Sequence, residues 1–465
     1  MDATESSAES ACTCSGAVPE PLILLVCVAV ALGVFLRLDG IDRKSLWVDE
    51  VFTIRRISQP TLGAVIQSLE VSPLPPLYYA LLWGWVRLWG LSDLTLRALP
   101  VGLGLLALPL TYGVWVGLIG RQAARWAVAL LALNAFHIAY SLDAKMYAAV
   151  WLLATISSGA FLHAVRGGTR RLLWLLVYGV SSACLPLTSY VGIVPLAVQG
   201  LYLAGLYGYR PERRLAALEV GIAAAMALLP FALWLPVAVP VAANRVGIRW
   251  IPPASWERAP VDLYRLFGVY LLGYQTSDQG PIELWGKLLA SVYAPCVFAT
   301  AALLGRSLVE VLKRSRRIPP PGSEESHDTR GALNPIAPEP DVIIYLAMWL
   351  VAPVIGALVF SLSVYSLWGV PRYLTGAAPA LPLWVATALG SWPRQRLALS
   401  LGVTLLGVNL AFVAFDRTHE TRTPWRAMAR AIEHIAAALP KASRVSEPGG
   451  TINEHTINHI NILMC

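Results

Sequence analysis

Along the chain, apolar runs near 20 residues recur from one end to the other, separated by shorter polar stretches. A helix needs about 20 apolar residues to cross the roughly 30 Å hydrocarbon layer of a bilayer, so each run is long enough to span it. The pattern predicts eleven spans, at 21–36, 98–119, 126–142, 147–165, 172–189, 191–208, 215–237, 288–305, 342–363, 374–391 and 397–415. Within these limits the only ionisable acid or cation is Glu219, close enough to Arg214 to reach the interface. The expected fold is all-α: a polytopic transmembrane helical bundle with interfacial helices in its first large outer loop.

Composition agrees with this pattern. The 465 residues are 56% hydrophobic and only 14% charged, with a mean hydropathy of +0.59, whereas soluble domains carry roughly 25% charged residues. A soluble core could not absorb so much apolar surface.

Orientation follows from Lys and Arg in the short loops. With a cytoplasmic N-terminus, the inner loops carry Arg121 and Arg125, then Arg166, Arg170 and Arg171, then Arg210, Arg213 and Arg214, then the cluster from Arg306 to Arg330, then Arg394 and Arg396. One end dissents: residues 1–20 hold four acids and no Lys or Arg, while Arg37, Arg43 and Lys44 follow the first span. Five mutually consistent loops outweigh it. Residues 1–20 then form an inner tail, 21–415 the membrane domain and 416–465 a short outer tail. Loops 37–97 and 238–287 lie outside, and the Pro-, Ser- and charge-rich linker 313–341 inside. The stretch 76–92 must then lie along the outer interface, where Trp83, Trp85 and Trp89 suit the headgroup level; a true short span is the alternative.

The net charge of +8 is orientation charge and gives no reason to expect nucleic acid. Six cysteines form no framework, since Cys27, Cys184 and Cys296 fall in spans. No cleavable signal is apparent, and the first apolar run reads as a retained anchor. In the outer tail, His455 and His459 at i and i+4 could bind metal, but they sit in a biased repeat better read as a plain tail.

Chemistry is expected where ionisable groups gather beside apolar walls, and the first outer loop is such a place. It contains Ser45-Leu46-Trp47-Val48-Asp49-Glu50. Adjacent carboxylates after a Trp suit general-base work, one facing the reacting group and the other orienting it; by itself such a pair is as ordinary as a solvated surface pair. Further along come Val71-Ser72-Pro73-Leu74-Pro75-Pro76-Leu77-Tyr78-Tyr79, Tyr140-Ser141 with Asp143-Ala144-Lys145-Met146-Tyr147, Pro371-Arg372-Tyr373-Leu374 and Thr423-Pro424-Trp425-Arg426. Each could be a helix-end anchor, yet all fall on one predicted face. His137 reads as a core histidine bonded to a neighbouring helix, with substrate contact as the alternative. Trp47, Tyr78 and Trp368 could stack on a sugar.

In this order and topology the segments resemble the C-type (GT-C) integral-membrane glycosyltransferases, in particular the bacterial relatives of the protein O-mannosyltransferases and the lipid A aminoarabinose transferase. The resemblance covers most of residues 21–430, strongest at Ser45–Glu50 and Pro75–Tyr79, with Arg97, Pro100, the Tyr140–Tyr147 segment and Arg372-Tyr373 completing it. It implies an inverting transfer of a sugar from a polyprenyl-phosphate or polyprenyl-diphosphate carrier to a lipid, glycan or protein acceptor, at the extracytoplasmic face of the plasma (inner) membrane. Asp49 matches the catalytic base, with Glu50 beside it, and Asp143 a second active-site acid. Arg372 matches a cation near the carrier phosphate, accompanied by Lys145, Tyr147, Tyr373 and Tyr78 as substrate-binding residues. The resemblance fixes no cofactor and leaves a divalent metal open.

The chain also departs from the pattern. Glu and Arg are common where Asp143 and Lys145 stand, which loses the bidentate fork of Arg. Leu74 replaces a His or Lys before the paired prolines, Ser189 replaces a His before Tyr190, and the outer tail is short. The competing class, a transporter or flippase of a lipid-linked sugar, would place charge or broken helices in mid-membrane, and the predicted spans are charge-free.

Overall fold

The computed structural model describes residues 20–42, 45–69, 74–243, 253–272, 284–317, 340–364 and 370–418, with Ile251 and Leu367. The N-terminal tail, Arg43 and Lys44, Ser72-Pro73, the centre of the inner linker, Trp368, the Thr423–Arg426 segment and both tail histidines lie outside the described residues.

Among the described residues every regular element is helical. In chain order the helices are α1 (Glu20–Asp39), α2 (Val48–Ile57), α3 (Leu62–Leu69), α4 (Pro76–Trp89), α5 (Asp93–Ile119), α6 (Arg121–Leu133), α7 (Ala135–Ser141), α8 (Tyr147–Arg166) and α9 (Arg171–Thr188). They continue as α10 (Ile193–Tyr209), α11 (Arg214–Ala232), α12 (Leu235–Ala243), α13 (Ala259–Leu272), α14 (Leu284–Arg317), α15 (Pro340–Ser363), α16 (Ala380–Gly390) and α17 (Gln395–Thr418). Among the described residues nine helices are long and apolar enough to cross a bilayer, ten if α6 and α7, bent by 56°, count as one broken span, and α16 is shorter. The predicted span 374–391 begins instead as a 3-10 turn, Pro371–Leu374, and becomes α-helix only at Ala380.

Polar contacts at the helix ends give the alternation of the bundle. At one end Arg417 on α17 pairs with Asp39 on α1 at 2.8 Å, and Arg97 on α5 pairs with Glu50 on α2. At the other, Arg213 reaches Asp341 of α15 at 3.0 Å, and Gln122 of α6 bonds Gln395 of α17 at 2.5 Å. These contacts are consistent with each successive span reversing direction. Glu219 is paired across the bundle with Arg171 of α9; its expected neighbour Arg214 instead donates to the Tyr207 carbonyl.

The charge-free interior is corrected by the lengths of α1 and α5. Both helices run past the predicted limits and carry Arg37 and Arg97 inward, where they are 0% and 1% exposed. Arg37 serves the break between α6 and α7, where backbone groups lose their helical partners and lipid offers none. Its Nη1 donates to the Ala132 carbonyl at 2.8 Å and its Nη2 meets His137 Nδ1 at 2.8 Å. Asn134 caps α7 by accepting from the His137 amide at 2.8 Å, and Asn409 of α17 accepts from the Ala135 amide at 3.0 Å. His137 is thus a core histidine bonded to α1. Gly33 allows the approach, because a β-carbon there would collide with the Ala132 carbonyl.

The first loop is helical, as expected, with α2, α3 and α4. In α4, Tyr78, Tyr79 and Leu82 point inward, while Leu88 and Trp89 are exposed. Two of the indoles bond to protein: Trp83 Nε1 donates to the Gln59 carbonyl at 3.0 Å and Trp85 Nε1 to that of Thr95 at 2.9 Å. The predicted outer loop 238–287 likewise contains α13, whose residues Leu266 and Val269–Leu272 are buried.

Candidate active site

Asp49 and Glu50 occupy the first turn of α2, where negative charge suits the helix dipole. Successive helical residues point about 100° apart, and here that separates their roles. Glu50 is 0% exposed. Its carboxylate accepts from Arg97 Nε at 2.9 Å and Nη2 at 2.7 Å, from the Trp47 amide at 3.2 Å and from the Ala144 amide at 3.0 Å. Those four donors match the roughly four acceptor positions of a carboxylate. Glu50 therefore ties the first loop to α5 and to the corner between α7 and α8. Arg97 completes the tie by donating to the Ile41 and Ser45 carbonyls.

Asp49 faces outward from the same turn, its side chain 31% exposed, with Oδ2 3.6 Å from Arg372 Nη1. The Arg372 guanidinium lies 5.5 Å from the Trp47 ring and 5.6 Å from the Tyr373 ring, positions in which an aromatic face attracts a cation. Burial by itself would weaken the charge of Arg372, but the oxygens of Tyr147, Asp49, Tyr140 and Tyr373 more than offset it and raise its pKa. Arg372 is a fixed cation.

The α7–α8 corner supplies the third part. Asp143 and Lys145 are 3% and 5% exposed, and Lys145 Nζ lies 3.4 Å from the Tyr79 hydroxyl and 5.9 Å from its ring centre. The neighbouring Tyr78 hydroxyl is buried with no hydrogen-bond partner. Burial, then Tyr79 and the charges of Glu50 and Asp143, hold its pKa well above the usual phenol value, so it remains a donor. Tyr147 opens α8, stacked edge-on to Tyr140 at 4.7 Å, and feels the charges of Arg372, Asp49 and Asp143.

The eight residues that the resemblance assigns to catalysis and substrate binding therefore gather at one end of the bundle. Sequence reasoning gave Glu50 no fixed partner and placed Arg97 only as a word in an ordered set; their pairing joins residues 47 apart. It placed Arg37 only as a loop cation and did not single out Tyr270. A cation immediately after an apolar run was the available signal for the first, and the apolar stretch Leu263–Leu272 for the second. Two internal voids, one lined by Thr111, Leu131 and Trp151 and the other by Asn134, Tyr270 and Asn409, do not touch Asp49. Among the described residues no group of three His, Cys, Asp or Glu side chains could hold a metal ion. Glu50 is occupied by donors, and Asp49 faces a guanidinium.

No protein-family model and no curated protein sequence matches the chain. Solved structures do. ArnT from Cupriavidus metallidurans in the apo state superposes with a TM-score of 0.58 at 14% identity, over 90% of this chain and 81% of that one. ArnT bound to undecaprenyl phosphate gives 0.56 at 15% identity, over 94% and 84%. The oligosaccharyltransferase AglB from Archaeoglobus fulgidus, in complex with an inhibitory peptide and a dolichol-phosphate, gives 0.56 at 14% identity, over 93% of this chain and 61% of that one. The fold expected from the resemblance, that of the C-type membrane glycosyltransferases, is the fold found.

Proposed function

We propose that this chain transfers a sugar from a polyprenyl-phosphate carrier to an acceptor hydroxyl or amine at the extracytoplasmic membrane surface. The observation that carries the reading is the pairing of a partly exposed carboxylate, Asp49, with a cation held between aromatic rings, Arg372, at one rim of an apolar bundle. A lipid-anchored donor has its phosphate at that level. Arg372 takes the phosphate oxygens, for which a guanidinium fork is well shaped, with Lys145 and the free Tyr78 hydroxyl as further donors. Asp49 accepts the acceptor's proton as the acceptor attacks the anomeric carbon from the face opposite the phosphate. The bond from that carbon to the phosphate oxygen breaks with its electron pair going to the phosphate, and the anomeric configuration inverts. Glu50 holds Asp49 in place through Arg97, and Asp143 supports substrate placement.

Purified protein in lipid nanodiscs, given a polyprenyl-phosphate sugar and a panel of lipid, glycan and peptide acceptors, should release polyprenyl phosphate and form a glycosylated acceptor. Neither product appearing with any acceptor would count against the reading. One observation favours the runner-up, a flippase: a broken span with a buried cation is common in transporters. Here, however, the break is closed by direct hydrogen bonds from Arg37, Asn134 and Asn409. Movement of the lipid-linked sugar between leaflets without its consumption would establish that alternative. Sidedness is tested separately: cysteines at the exposed positions Ser58 and Thr169 should label from opposite sides, Ser58 from outside.

A further inference from the structure

Arg372 stands on a short turn, so its position depends on whatever ties that turn to the bundle. Within the turn, the Tyr373 amide bonds the Val370 carbonyl at 3.1 Å and the Thr375 hydroxyl bonds the Arg372 carbonyl at 2.7 Å. Those bonds shape the turn but do not locate it. Location comes from outside: the Tyr270 hydroxyl donates to the Pro371 carbonyl at 2.8 Å, and Trp349 Nε1 donates to the Gly376 carbonyl at 2.9 Å on the far side.

Tyr270 also holds the acid-bearing segment. It is 1% exposed in α13, and its ring meets Phe136 of α7 edge-on at 5.1 Å. Its backbone carbonyl accepts from Asn134 Nδ2 at 2.9 Å, and Asn134 is the residue that caps α7. Seven residues of α7 lead into the corner with Asp143 and Lys145. One side chain thus grips the cation's turn by its hydroxyl and the acid's helix by its ring and backbone.

We infer that Tyr270 is a positioning residue: it sets Arg372 at its working distance from Asp49 and the Asp143 corner, and thereby sets the affinity for the carrier phosphate. The inference rests on Arg372 being the phosphate cation. If the hydroxyl merely satisfied a nearby carbonyl, its removal would lower stability and leave carrier binding unchanged.

The test measures binding of undecaprenyl phosphate to the full chain in nanodiscs for Tyr270→Phe, Arg372→Leu and the double variant. Tyr264→Phe, on the same helix and packed against Tyr293, is the control. Tyr270→Phe removes one oxygen and keeps the ring packing, so the folded protein is retained. A buried neutral hydrogen bond is worth enough for a three- to tenfold loss of affinity, as an order of magnitude. Arg372→Leu should weaken binding more, and the double variant no more than Arg372→Leu alone, because residues acting as one unit are not additive. Unchanged binding in Tyr270→Phe, with Arg372→Leu weakened, overturns the inference and leaves the role of Arg372 intact. A double variant weaker by the full product of the two factors overturns it as well. Unchanged binding in Arg372→Leu would remove the premise and the inference together.

Discussion

The two ends of the bundle handle charge in opposite ways. At the end with the first loop, Arg37, Arg97, Glu50, Asp143 and Lys145 are all nearly inaccessible. At the other, Arg210 with Glu212 and Arg306 with Glu310 form pairs whose side chains are 46–61% exposed. Exposed pairs are screened and contribute about 0–1 kcal/mol each. Buried ones must be matched donor for acceptor, because an uncompensated buried charge costs several kcal/mol. One end therefore carries screened surface pairs, and the other uses charge to fix geometry.

The sharpest way to break this contrast is at Asp49, the partly exposed acid of the geometric end. Asp49→Asn keeps shape but cannot take a proton, and a positioned base contributes about 100- to 10,000-fold to rate. Transfer of labelled sugar to the acceptor should fall by that factor with undecaprenyl phosphate binding nearly intact; near-normal turnover would show that the proton goes elsewhere. Next comes the buried pair. Arg97→Leu strands Glu50, and loss of one partner of a buried pair costs about 3–5 kcal/mol, visible as a marked fall in the thermal unfolding temperature. Glu50→Gln should lower turnover as well, through the α7–α8 corner that it holds.

Arg372→Leu should act on the donor alone. Hydrogen bonds to charged groups are worth about 1.5–3 kcal/mol, so the donor concentration for half-maximal rate should rise by roughly tenfold or more while that for the acceptor stays put. An unchanged donor dependence would take Arg372 out of the site. The smallest effect belongs to the opposite end: Glu310→Ala, removing an exposed i,i+4 partner of Arg306, should change stability by less than about 0.5 kcal/mol and turnover not at all. A large loss there would mean that the two ends do not differ as described.

Much of this was legible in the chain. The apolar runs located the long helices of the bundle, because lipid demands a continuous apolar run whatever the neighbours are, but several ends moved, as at Ala380 of α16 and Arg317 of α14. Asp143 and Arg372 each sit beside the end of an apolar run, whereas Asp49 lies well past the first run and stood out only through its paired Glu50 and the resemblance. What failed were inferences drawn from predicted limits. A helix may extend beyond its apolar run when a neighbour satisfies its charge, as the Ala132 carbonyl and His137 do for Arg37. The same holds for α13, whose place between α7 and α17 depends on Asn134 and Asn409 donating to the Tyr270 and Leu271 carbonyls.

The sequence by itself therefore determined that the protein is a helical membrane bundle, since hydropathy and length act one segment at a time. Only the tertiary structure decided which carboxylate is bound into the scaffold and which remains partly exposed, and which tyrosine reaches the turn of Arg372. Those outcomes depend on pairs of groups far apart in the chain: Glu50 meets Arg97 at 2.7 Å, Asp49 meets Arg372 at 3.6 Å, and Tyr270 meets Pro371 at 2.8 Å. Desolvation makes each buried polar group require a partner, and packing selects which one it finds.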